Sequence, residues 1–259
     1  MTAIQHKVIK PELGQRVFFC GDVHGDKVSL EKQLEKVGFV ETQDILIFTG
    51  DLIDRGDYSA ALIEFATGTP GVHSVIGNHE SLFLHGLHDP LTRSIHTAAN
   101  VGGGWIEQYS QSELEGLAEL VQRTMSIAIT VETKQYKIGV VHASAPNDWQ
   151  KIVNGSSLHE EQWLWSRGQF ENALAGENHV VTGVDAVIHG HVANTLLVSG
   201  NHIWIDTQYH MGELTIIEAS RVLDCVRKQP EMVDSILEER RLKTLDELSK
   251  LDQELDLGY

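Results

Sequence analysis

Apolar residues in the first third of the chain come in short runs, each ending in a polar loop that leads into a stretch of helical periodicity. Residues 16–20 (RVFFC), 45–49 (ILIFT) and 72–76 (VHSVI) have the length and composition of buried strands. The first runs into GDVHGD and then KVSLEKQLEKVGF, with Asp26 placed to cap the helix. The second runs into GDLIDRGD and an amphipathic SAALIEFA, and the third into GNHE and SLFLHGL. Strand, polar loop and helix repeated three times predict a βαβαβ arrangement with a largely parallel sheet. In such sheets the loops past the carboxyl ends of the strands carry function, and all three polar loops fall there.

The pattern changes after residue 90. Residues 90–123 predict helices and irregular loop, including NVGGGW at 100–105. A second strand series follows: SIAITVE, then YKIGVV leading into His142, then AVIHGH, TLLVS, HIWID and ELTIIEA. Short strands joined by turns predict a second sheet packed on the first, an α/β sandwich flanked by helices. From Pro230 the chain is charge-rich, with Leu237, Leu248, Leu251 and Leu255 near helical spacing and the heptad broken at Arg241 and Thr244. The expected organisation is therefore a main domain over 1–222 and a C-terminal helical extension over 223–259, in a monomer or homodimer.

Composition narrows the classes. With 259 residues, 41% hydrophobic and 22% charged, the chain suits one large globular domain. A net charge of −17 argues against a nucleic-acid partner and against long-range attraction of a phosphorylated substrate. A phosphate site must then be made electropositive locally, by a metal or by arginines. Cys20 and Cys225 form neither a disulfide framework nor a zinc cluster. The N-terminal MTAIQHKVIKPELGQ lacks a signal-like apolar core, and no apolar run approaches membrane-spanning length. The expectation is a cytoplasmic protein with no membrane partner.

The strand-end loops hold Asp22 and His24, then Asp51, Asp54 and Arg55, then Asn78 and His79; the later strands add His142, His189 and His191. In a chain with 14 histidines any one of them is uninformative. The joint occurrence is informative, because carboxylate, imidazole and amide groups each terminate an apolar run in an order that brings such termini together. Mixed oxygen and nitrogen ligands suit Mn²⁺, Fe or Zn²⁺ rather than Ca²⁺, and there are enough groups for two ions. Paired ions are a known solution for phosphoester hydrolysis.

GDVHG (21–25), GDLIDRG (50–56) and GNHE (77–80), followed by VVHAS and IHGHV, resemble the phosphoprotein phosphatase family of dinuclear metallophosphoesterases over about residues 16–218. Bacterial and bacteriophage-lambda-type serine/threonine protein phosphatases are the most similar group. They share the GGGW element, the W-x-R element at Trp165-Ser166-Arg167, and a late ID-T followed by G-x-L-T. The resemblance implies a calcineurin-like β-sandwich of αββα type and two divalent ions, first Mn²⁺, with Fe or Zn²⁺ tolerated by the same ligands. It implies that Asp22 and His24 bind one ion, that Asp51 bridges both, and that Asn78, His142 and His191 complete the second. It further implies attack by a water shared between the ions on phosphoserine or phosphothreonine in a protein or peptide, with phosphotyrosine open. His79 is the implied general acid, oriented by Asp54, and Arg55 and Arg167 the implied phosphate grips.

Several positions depart from that pattern. Ile76 stands where an arginine is frequent, Val192 where threonine is usual after the last histidine, and Gln208 where a glycine is usual. His189 is expected to be structural, Glu80 a first-turn helix residue rather than a ligand, and Trp105 and Trp165 core aromatics. The rival function keeps the metal site and hydrolyses diadenosine polyphosphates. Enzymes of that kind tend to lack the aspartate before Arg-Gly and to end the third motif in Asp, so Asp54 and Glu80 favour the protein phosphatases. A non-catalytic scaffold of the same fold should lack a ligand or the general acid, and every position is filled.

Overall fold

In the apolar runs, alternate side chains take opposite faces, and this division builds a two-sheet sandwich. The computed structural model describes residues 4–155 and 160–228. Its strands are β1 (Ile4–Ile9), β2 (Val17–Cys20), β3 (Ile45–Phe48), β4 (Val72–Ser74), β5 (Ser126–Glu132), β6 (Lys137–Val141), β7 (Ala186–His189), β8 (Leu197–Ser199), β9 (His202–Trp204) and β10 (Ile216–Glu218). The helices are α1 (Lys27–Lys36), α2 (Ser59–Gly68), α3 (Asn78–Gly86), α4 (Pro90–His96), α5 (Gln111–Thr124), α6 (Gln150–Val153), α7 (Glu160–Trp165), α8 (Gly168–Leu174), α9 (Gln208–Met211) and α10 (Ala219–Lys228).

One sheet has the order β10-β2-β3-β4, with β2, β3 and β4 parallel. The other has the order β1-β5-β6-β7-β9-β8 and is mixed. Val17, Phe19, Ile45 and Ile47 meet Ile129, Val131, Ile138, Val140, Ile188 and Ile203 in a buried layer between the sheets. The alternate residues Phe18, Cys20, Leu46 and Phe48 face the other way, into a second core with Leu30, Leu62, Phe83 and Val121 of α1, α2, α3 and α5. Asp26 caps α1, accepting a hydrogen bond from the Ser29 amide at 2.9 Å.

Two strands go beyond the expectation. The N-terminal segment forms β1, a parallel edge strand on β5. Only one of its faces meets the core: Ile9 is buried and Val8 is exposed, so its apolar signal is diluted. ELTIIEA, expected in the second sheet, instead gives β10, antiparallel to β2 in the first. That pairing supplies partners to backbone groups that the edge of β2 would otherwise leave unmatched. Helix α10 packs Val222, Leu223 and Cys225 into the intersheet layer. The rest of the expected C-terminal extension, with its leucines, lies outside the described residues. Among the described residues no helix is long and apolar enough to cross a membrane.

Phe19 is fully buried in the intersheet layer. Phe19→Ala should cost about 3–5 kcal/mol, seen as a lower urea midpoint; an unchanged midpoint would contradict this account of the core.

Candidate active site

The strand ends meet in loops of unusual backbone conformation. Among the described residues, the non-glycine residues with positive φ are His24 (48°), Asp51 (50°), Asp54 (74°), Arg55 (68°), His191 (67°) and Leu196 (79°). All but the last are residues singled out from the sequence. Such conformations cost of order 1–3 kcal/mol each and persist only where the surroundings over-determine them. Space is equally constrained: a Cβ on Gly77 would overlap the Asp51 carboxylate and amide.

Three imidazoles are oriented by main-chain carbonyls. His24 Nδ1–H donates to Ile53 O (3.2 Å), His142 Nδ1–H to Thr49 O (2.7 Å) and His191 Nε2–H to Trp165 O (3.1 Å). A carbonyl can only accept, so the opposite ring nitrogens carry lone pairs. Burial lowers both His24 and His191 to about 4, which keeps these rings neutral. Their free nitrogens converge with oxygen acceptors. His24 Nε2 lies 3.9 Å and His142 Nε2 3.5 Å from Asp51 Oδ2. Asn78 Oδ1 lies 2.8 Å from His142 Nε2 and 2.9 Å from His191 Nδ1. Lone pairs facing lone pairs in a buried site repel unless a cation lies among them. The donors are imidazole nitrogen, carboxylate and amide oxygen, a set that fits Mn²⁺, Fe or Zn²⁺.

The carboxylates point to the same conclusion. Asp22 is buried, its oxygens accepting from Thr49 Oγ1 (2.9 Å) and the His191 amide (2.8 Å). Burial, then Asp206 and Asp51, push it well above the usual carboxylate range. Asp206, at the end of the β9 run, belongs to the same nest; burial, then Asp51, raise it to about 7. In the sequence Asp206 stands only as the aspartate of the late ID-T element. Its signal was the one applied to the other ligands, a carboxylate terminating an apolar run. Among the described residues, two groups each have ligating atoms within 4.8 Å of one another: His24, Asp51 and His79, and Asp51, His142 and His191. Asp22 stands beside these groups rather than within either.

His79 differs from the other rings. Its Nδ1 lies 2.6 Å from Asp54 Oδ2, a carboxylate rather than a carbonyl, and its Nε2 lies 3.3 Å from Arg55 Nη2. Burial lowers the pKa of this imidazole, but the Asp51 and Asp54 carboxylates outweigh it and leave it raised. A guanidinium beside Nε2 disfavours a metal ion on that atom, which leaves it facing the cleft. The cleft has a volume of about 330 Å³ and is lined by Arg55, Arg167, His79, His191 and Asp206, with Leu82, Ile95 and Val101 on an apolar side. Asn78 and His79 open α3, whose N-terminus adds positive potential on an acidic protein.

Several secondary expectations can be placed. His189 is buried away from the cluster, bonded to Ala143 O and His202 and stacked on Trp204. Ile76, where arginine is frequent, is fully buried in the helix-side core. Gln208 donates to Asp26 Oδ2 at 2.6 Å, tying the last loop to the α1 cap. Glu80 does lie in the first turn of α3, but its buried carboxylate accepts from the amides of Asp51 (2.9 Å), Leu52 (2.8 Å) and Gly77 (2.8 Å). Trp165 corrects the expectation of a core aromatic: it is 42% exposed at the rim of the cleft, because α7 ends there and turns Trp163 and Leu164 inward instead.

The chain is similar to known proteins over most of its length. Residues 15–195 match the family model described as calcineurin-like phosphoesterase. Serine/threonine-protein phosphatase 2 of Salmonella typhimurium is 30% identical over 210 residues, covering 80% of this chain and 94% of its own. The symmetrical bis(5'-nucleosyl)-tetraphosphatase of Actinobacillus succinogenes is 28% identical over 162 residues, 61% of this chain and 54% of its own. The structure of a protein serine/threonine phosphatase from Saccharomyces cerevisiae matches with a TM-score of 0.54 at 13% identity, covering 78% of this chain and 70% of that one, which shows a shared fold.

If the lone pairs converge on cations, metal binding must stabilise the folded state. Mn²⁺ at a hundred times its Kd should add about 2.7 kcal/mol, measured as a rise in Tm of metal-stripped protein. Asp51→Asn should remove most of that rise; an unchanged rise would rule out Asp51 as a shared ligand.

Proposed function

The chain belongs to the calcineurin-like phosphoesterase family, and from that premise we propose that it is a metal-dependent phosphomonoesterase acting on phosphoserine and phosphothreonine in proteins or peptides. The carrying observation is the convergence of acceptor lone pairs on Asp51 beside the His79–Asp54 pair and Arg55 in one cleft. The substrate class is supported by coverage: the phosphatase relative is matched over 94% of its length, the tetraphosphatase over 54%.

In this proposal one ion is held by Asp22, His24 and Asp51 and a second by Asp51, Asn78, His142 and His191. Such ions, when bound, acidify water and draw charge from the phosphoryl oxygens. Mn²⁺ is the first candidate, and Fe or Zn²⁺ suit the same ligands. Arg55 and Arg167, both on the cleft wall, hold the phosphoryl group, which planar guanidinium groups match in shape and charge. As a water oxygen bonds to phosphorus and gives up a proton to solvent, the bond from phosphorus to the leaving oxygen breaks and its electron pair stays on that oxygen. His79 Nε2 supplies the proton that neutralises the resulting alkoxide, while Asp54 keeps Nδ1 protonated and the ring turned. The proposed setting is cytoplasmic.

The test is hydrolysis by metal-stripped protein with Mn²⁺ restored, comparing a phosphoserine peptide, a phosphotyrosine peptide and diadenosine tetraphosphate. Mn²⁺-dependent turnover of the phosphoserine peptide is expected. Turnover of the dinucleotide alone would keep the site and replace the substrate. His79→Asn should lower kcat on the phosphopeptide by about 10²–10⁴-fold while Mn²⁺ stoichiometry stays unchanged; undiminished kcat would remove His79 from its role.

A further inference from the structure

Asp54 does more than face His79. Its carboxylate receives N–H groups from a segment outside the three strand-end loops. Trp105 Nε1 donates to Oδ1 at 2.7 Å, and His96 Nε2 lies 3.0 Å from Oδ1 and 3.1 Å from Oδ2. An indole nitrogen can only donate, so Oδ1 must act as an acceptor. His96 is fully buried and its Nδ1 has no hydrogen-bond partner among the described residues, so the contact with Asp54 is the polar contact that orients that ring. Phe83, one turn along α3 from His79, packs at 6.1 Å from the His96 ring and 5.5 Å from the Trp105 ring. The same segment grips the neighbouring residue: Arg55 N donates to Gly102 O at 3.1 Å, and Gly102 sits at φ 93° with no room for a Cβ against Arg55.

We propose that Trp105 and His96 are positioning residues for proton delivery, fixing the Asp54 carboxylate as an acceptor so that the His79 proton stays aimed at the leaving oxygen. The inference rests on the phosphomonoesterase reading above and deepens it. With Trp105 on Oδ1 and His96 shared between both oxygens, the Asp54 carboxylate is pinned in rotation. His79 Nδ1–H therefore has one acceptor in one place, and Nε2 is held at the cleft beside Arg55. Loss of either outer donor frees the carboxylate to turn and loosens the His79 ring.

The distinguishing readout is dependence on the leaving group. Serine leaves as a strongly basic alkoxide that needs a proton, whereas p-nitrophenolate leaves with little help. Trp105→Phe keeps the aromatic volume and removes the donor. It should lower kcat on the phosphoserine peptide about tenfold more than on p-nitrophenyl phosphate, with KM on both esters little changed. His96→Leu should behave likewise, and His96→Asn, which retains an N–H donor, should recover most of the ratio. Asp54→Asn sets the ceiling of the effect. The ratio of the two kcat values within one preparation is independent of the fraction folded, so a poorly stable variant still reports. Equal losses on the two esters, or none, would overturn the positioning role while leaving the phosphatase reading intact. No hydrolysis of either ester by the Mn²⁺-loaded wild-type protein would overturn that reading, and this inference with it.

Discussion

A single buried carboxylate holds the site together. Glu80 is wholly inaccessible, and its oxygens take amide hydrogens from Asp51 and Leu52 in the second loop and from Gly77 in the third. Charge-assisted bonds of this kind are worth about 1.5–3 kcal/mol each. That is the scale of the strain in the left-handed backbone of Asp51. Burial and the nearby Asp51 raise Glu80 to about 7, so the three amides are what make its charge tolerable. Beside that clamp, the second and third loops are joined by the His79 amide, which donates to Asp51 Oδ1 at 3.0 Å, and by the His79–Asp54 pair. The clamp fixes the backbone of Asp51 against the start of α3.

Beyond the clamp, the site divides its imidazoles by what stands behind them. His24, His142 and His191 are backed by carbonyls and stay neutral with a lone pair forward. His79 is backed by Asp54 and favours carrying a proton. The same side chain thus serves ligation or proton transfer according to its partner's chemistry. An acidic protein makes this division necessary. With a net charge of −17, positive potential for a phosphoryl group must be produced within the cleft by Arg55, Arg167, the start of α3 and whatever cations the ligands hold.

Much of this was legible in the chain itself. The three strand-loop-helix units follow from apolar runs of four or five residues, since a strand buried on both faces has no polar alternation to obscure it. Asp22, His24, Asp51, Asn78, His142 and His191 were visible as polar groups ending such runs. What escaped was set by tertiary contact. β1 is half exposed and β10 crosses to the other sheet, and neither follows from local pattern. Asp206 ends a run like the others, yet its nearness to Asp22 required the fold. His96 and Trp105 carry no spacing that links them to Asp54, 42 and 51 residues away. Trp165, expected in the core, is turned outward by the end of a helix.

The left-handed residues carry a lesson for anyone hoping to transplant this chemistry. His24, Asp51, Asp54, Arg55 and His191 hold their side chains in place partly through main-chain angles that most scaffolds do not offer. Copying the side chains onto another sandwich by matching Cα positions would reproduce the inventory and miss the aim. The portable unit is the whole loop, together with the buried acid and the glycines that let neighbouring loops touch. A graft that left those behind would carry the letters of the site without its grammar.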